Sequence, residues 1–320
     1  MTFDIKIVLD IAISMFLVML VGYFLRKFGI IDAKVSKSLS RLVLYLTQPV
    51  LIVMSMIKMT FSVETTKQLG IILLVSLGVH TFAAVFGYVS MRFMKDENAR
   101  KLSEHSIIFS NVMFFGLPIV QSLLGDRGIA WASFFSVIFH VFAWTYGMII
   151  LGRGRDDIKL SVKKVLLNFG TIPCFIGIVL YFISGLNIPQ EFLSGLSGLK
   201  KALDYLGGLC TPISLLVLGG VLTTLPLKKL FNNWKIYYVC FMKLVVFPLI
   251  TYAVAKFILN IGDEMSMFTL IMAGLPTASL TNMFAELYDI EPGYAATSVG
   301  MTTVFSVATL PFVVWIAQLL

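Results

Sequence analysis

Ser110-Asn111-Val112-Met113-Phe114-Phe115-Gly116-Leu117-Pro118 sets an amide, a glycine and a proline inside an otherwise apolar run. No water is at hand there to satisfy a broken backbone, so the stretch reads as a deliberately interrupted membrane helix. Gly274-Leu275-Pro276-Thr277-Ala278-Ser279-Leu280-Thr281-Asn282 repeats the same ingredients in the other half of the chain. Two broken helices, one per half, are the pattern of a transporter.

The surroundings of both stretches are those of an integral membrane protein. Of 320 residues, 58% are hydrophobic and 13% charged, with a mean hydropathy of +0.92, whereas a soluble domain carries roughly 25% charge. Lys and Arg number 25 against 17 Asp and Glu, a net charge of +8. The basic residues fall in loops between apolar runs, as topology signals and anionic-lipid contacts do, so the expected partner is the lipid bilayer and not nucleic acid. Cys174, Cys210 and Cys240 lie in apolar segments without paired spacing or nearby histidines. They read as small core residues, and neither a metal nor a cofactor is expected. The run from Ile11 to Leu25 ends in Arg26-Lys27 without a small-residue cleavage site, and reads as a first span rather than a removed signal peptide.

A span needs about 20 mostly apolar residues. Ten segments qualify: 6–26, 38–57, 68–91, 106–124, 129–151, 170–186, 203–223, 235–259, 265–287 and 294–319. The loops after the first, third, fifth and seventh spans hold 17 Lys and Arg, the other side holds 7, and Lys243 lies within the eighth span. That bias places the richer side in the cytoplasm and both termini outside the cell membrane. Five spans precede the loop at Gly152–Lys164 and five follow it, so residues 1–155 and 156–320 read as two inverted five-helix repeats of an all-α polytopic membrane protein. Pro49 and Pro212 interrupt the second and seventh spans, and Pro118 and Pro276 the fourth and ninth, at matching ordinal places.

Proline removes an amide hydrogen and crowds the carbonyl one turn back. Pro118 and Pro276 therefore suit the first turns of half-helices, each presenting about half a positive charge at mid-membrane, where an anion would sit. Ser110, Asn111, Gln121, Thr277, Ser279, Thr281 and Asn282 are placed to orient such a ligand, although Ser and Thr can equally bond back to their own helices. Asn111 and Asn282 are the stronger candidates because an unpaired buried amide is costly. Gly116 lets the first stretch distort. Lys243 either raises the positive potential of the site or snorkels to the headgroups, and His80 and His140 either relay protons or are satisfied within the bundle. There is no His-Glu-x-x-His, glycine-framed nucleophilic serine, pair of mid-span aspartates or phosphate-binding loop, so an enzyme is not expected.

These motifs resemble those of the auxin efflux carrier family, which includes plant auxin exporters and bacterial permeases for malate, malonate and similar acids. The family pattern of Asn, four variable residues, Gly, an aliphatic residue and Pro is met by Asn111, Gly116, Leu117 and Pro118. Leu275-Pro276 followed by Phe284-Ala285 and Tyr288 resembles the second motif, and Pro49 and Leu218-Gly219 also fit. Ser110 and Thr281 stand where plant relatives carry further prolines, and the long central loop of many plant members is absent. A prokaryotic-type permease is the nearer comparison.

The resemblance implies that spans 1, 2, 6 and 7 form a scaffold through which two copies would dimerise, with Gln48 and Pro49 on the scaffold side of the pocket. Spans 3–5 and 8–10 would form a transport unit with crossing fourth and ninth helices, where a small organic acid such as malate, malonate or an auxin-like acid binds. Alternating access of the elevator kind is the family expectation. A sodium- or proton-coupled carrier of a neutral or amphipathic solute, or a membrane sensor without flux, is the alternative.

Overall fold

Prolines and glycines decide where these apolar helices bend. A computed structural model describes residues 5–59, 61–155, 171–186, 197–223 and 233–320. The helices in order are α1 (Ile5–Lys27), α2 (Ala33–Lys58), α3 (Val63–Met91), α4 (Glu97–Ile108), α5 (Val112–Leu151), α6 (Thr171–Ser184), α7 (Ser197–Leu222), α8 (Trp234–Ile258), α9 (Asp263–Gly274), α10 (Ser279–Leu287) and α11 (Pro292–Leu319). No strand occurs among the described residues.

Seven of these helices, α1, α2, α3, α5, α7, α8 and α11, are long and apolar enough to cross a membrane. The ten expected spans are not all found as long helices, and each difference has a physical cause. The expected fourth and fifth spans are joined in α5, whose 40 residues would extend about 60 Å if straight, roughly twice the hydrocarbon thickness. Gly125, at φ 60°, breaks the run, and Gly128 comes against the Val120 carbonyl, so the chain turns back on itself. The expected sixth span begins outside the described residues and contributes the 14 residues of α6. The expected ninth span is divided into α9 and α10 by an extended segment at 275–278.

Three prolines inside helices follow a widened, π-helical turn: Val43–Thr47 before Pro49, Val112–Gly116 before Pro118, and Met242–Val246 before Pro248. The wider turn makes room for a pyrrolidine ring that can neither donate nor tolerate the carbonyl four residues back. At Pro212 the helix is interrupted instead at Leu209, one turn earlier.

Within lipid, helices associate by close packing rather than by a hydrophobic drive, and small residues allow it. Helix α1 runs along α7 in this way: a Cβ on Gly219 would collide with the Met19 carbonyl, and one on Gly22 with the Leu216 carbonyl. Helix α2 packs on α6 and α7, α3 on α4 and α5, and α8 on α9 and α11. Ion pairs fasten the polar ends, Arg153 to Glu104 at 2.6 Å and Lys58 to Asp204 at 3.0 Å.

Candidate functional site

Helix α4 stops at Ile108 and α9 at Gly274, and the extended segments that follow run antiparallel and pair through Ser110 and Thr277. The Asn111 amide donates to the Pro276 carbonyl at 2.7 Å, and the Ala278 amide to the Phe109 carbonyl at 2.8 Å. An unsatisfied amide in hydrocarbon costs several kcal/mol, so each interruption supplies the partners that the other lacks. Side chains satisfy what remains. Thr277 Oγ1 donates to the Ser106 carbonyl at 3.2 Å, and the Thr277 amide donates to Thr302 Oγ1 at 3.1 Å.

Lys243, 0% exposed, ends on this crossing. Its ammonium donates to the Ile107 carbonyl at 2.9 Å and to Ser110 Oγ at 2.7 Å, with the Phe247 ring 5.4 Å away. The Nζ donor keeps two polar groups of the break, at the C-terminal end of α4, satisfied.

The half-helices start at other residues than the prolines suggested. Helix α5 begins at Val112, because Asn111 caps it: Asn111 Oδ1 accepts from the Phe114 amide at 3.3 Å, and the Asn111 carbonyl accepts from Gly116 at 3.0 Å. Pro118 stands in the first turn of the α-helical part that follows the π-helical turn Val112–Gly116, whereas Pro276 lies in the extended crossing, before α10 starts at Ser279.

Beside the crossing is a cavity of about 220 Å³ between α2, α5, α7 and α10. Asn111 and Ser279 line it, with Ser40 and His140, and the rest of the wall is apolar, including Phe114, Trp144 and Leu218. Asn111 is 3% exposed, and its Nδ2 has no hydrogen-bond partner among the described residues. No described side chain caps the start of α10. None of the cavity's described lining residues is acidic.

The other expected site residues lie around this cavity rather than on it. Gly116 packs break against break, a Cβ there falling 2.6 Å from Leu275 Cδ1, and Pro118 is buried behind it. Pro276 and Thr277 belong to the crossing itself. Thr281 Oγ1 pairs with His105 Nδ1 at 2.9 Å and ties α10 to α4. Asn282, a half-buried residue of α10, does not line the cavity. Gln48 Nε2 donates to Met113 Sδ at 2.8 Å, whereas Pro49 faces a separate hollow of about 340 Å³ between α2, α6 and α7. Gln121 accepts from Thr211 Oγ1 at 3.1 Å. His140, whose place no spacing could fix, is on the cavity because α5 folds back at Gly125. Among the described residues no group of His, Cys, Asp or Glu is placed to hold a metal, and the three cysteines are buried free thiols.

Apolar helices, a doubly interrupted crossing and a lined cavity beside it define a polytopic membrane protein of the transporter class. The membrane transport protein family matches residues 7–315, and the chain belongs to that family, the auxin efflux carriers, which are transporters and not enzymes. It is 28% identical over 316 residues to an uncharacterized transporter of Methanocaldococcus jannaschii, covering 96% of this chain and 98% of that one. A second uncharacterized transporter, from Methanothermobacter thermautotrophicus, is 21% identical over 303 residues, covering 94% of this chain and 96% of the relative.

Proposed function

We propose that the chain is a secondary carrier of a small organic anion, held by its carboxylate in the cavity between α2, α5, α7 and α10. One observation carries this: Asn111, which lines a cavity whose described wall holds no acidic group, uses its side-chain oxygen as a helix cap and leaves its buried Nδ2 without a partner among the described residues. The start of α10, where no described side chain caps the helix, adds the positive end of a helix dipole, a setting that favours a carboxylate. At about 220 Å³ the cavity is smaller than the roughly 300–1,000 Å³ of drug-sized sites, so the substrate is small. The apolar remainder of the wall favours an acid with one carboxylate and an apolar body, since few polar groups are left for a second charge. The same apolar wall supports the second reading, a carrier of a neutral amphipathic solute.

We also infer ten spans in two inverted repeats, residues 1–155 and 156–320. Exchanging first with sixth and second with seventh turns the pair α1–α7 into α6–α2, and both pairs are packed together. Helices α4 and α9 have 12 residues each and both end at the crossing. In this arrangement α1, α2, α6 and α7 are a scaffold and the dimer surface, and α3–α5 with α8–α11 are the moving unit. The cavity then has one wall on each, as elevator-like alternating access requires. The bias of Lys and Arg toward alternate loops supports a cytoplasmic side there, with both termini outside the cell membrane.

Melting of the purified protein with a panel of monocarboxylates, dicarboxylates and uncharged isosteres tests the substrate class. Stabilisation by small monocarboxylates is expected. Stabilisation by the uncharged isosteres alone would overturn the anion reading.

A further inference from the structure

We propose that His140 is a second substrate anchor, sharing the carboxylate with Asn111. The inference rests on the anion reading of the cavity and adds a residue from the other limb of the α5 hairpin. His140 is 5% exposed, lines the same cavity as Asn111, and its Nε2 has no hydrogen-bond partner among the described residues.

The other two histidines show what a structural role looks like here. His80 Nδ1 lies 2.8 Å from the Ser76 carbonyl, and its ring sits among Phe135, Phe139 and Phe142. His105 Nδ1 is bonded to Thr281; its Nε2 also lacks a partner, but the ring is 0% exposed and packed against Phe109, Phe284 and Gly147, with no place for a ligand. His140 alone of the three combines an unpartnered nitrogen with a cavity wall. Burying such a nitrogen is unfavourable, and an apolar side chain of similar size would pack there without that cost. A carboxylate in the cavity removes it, one oxygen on Asn111 Nδ2 and the other on the imidazole N–H, with Ser279 at the start of α10 beside them.

The test titrates purified wild type, His140→Met and His140→Gln with small monocarboxylates from acetate to phenylacetate, following melting and affinity. His140→Met should bind about tenfold more weakly or worse, the loss expected for a buried hydrogen bond to a charged group, while His140→Gln, which keeps an N–H donor, should stay within about threefold of wild type. Free of ligand, His140→Met should melt no lower than wild type, because no hydrogen bond of the protein is lost. Unchanged affinity in His140→Met, or a clear drop in the melting of the ligand-free variant, would overturn the proposal. A wild type that no acid in the series stabilises would instead remove the anion reading beneath it, so the two failures are distinguishable.

Discussion

Asn111 gives its side-chain oxygen to the Phe114 amide and keeps an amino group that no described residue accepts from. Asn111→Ala should therefore show two separable losses: about 1 kcal/mol of stability from the missing cap, and about 1–3 kcal/mol of substrate affinity from the missing donor. Melting without ligand reads the first and titration reads the second; an unchanged affinity would take Asn111 out of the site. Lys243 acts on the crossing through Ile107 and Ser110. Lys243→Met leaves a buried carbonyl and hydroxyl unpartnered and should lower stability by about 1–3 kcal/mol, with flux falling too; a variant that melts and transports like wild type would contradict that role. Asn111 was legible in the sequence because an amide inside an apolar run demands a reason. The Lys243 contacts and the placing of His140 were not, since the first join helices more than a hundred residues apart and the second depends on the fold-back at Gly125.

Among the elements, the two interruptions were visible as Gly-Leu-Pro in apolar surroundings, but their boundaries were misjudged. Pro118 does stand in the first turn of an α-helix, but the Asn111 cap opens α5 with a widened turn before it, and Pro276 precedes α10 instead of starting it. The tight α1–α7 contact was legible only as a Leu218-Gly219 motif without a partner. Gly219→Leu would drive a side chain into the Met19 backbone, and overpacking of this kind should cost about 1–3 kcal/mol or more, read as lower folded yield and melting. Gln48 and Met113 touch across the inferred boundary between scaffold and moving unit. Cysteines at these two positions, in a protein freed of Cys174, Cys210 and Cys240, should cross-link under oxidation and stop flux until reduced. Full flux in the cross-linked protein would mean that α2 and α5 do not move past each other.

For the whole molecule, composition alone established a membrane protein, and the resemblance established the family that the full-length match shows. The span count was less legible, because hydropathy does not distinguish a long helix from a hairpin turned at one glycine, or one span from two half-helices that meet an opposing break. The inferred orientation predicts that Gln318→Cys is labelled by an impermeant thiol reagent in whole cells and Lys95→Cys only after permeabilisation; the reverse pattern would invert the topology. Central to the account is a carboxylate held at the crossing by the Asn111 amino group and carried across. Asn111→Asp tests it most directly, because aspartate still caps the helix but replaces the donor with a negative charge. Uptake of labelled small carboxylates into proteoliposomes should be saturable with wild type and lost with Asn111→Asp at unchanged melting; uptake by the variant equal to that of wild type would contradict the account.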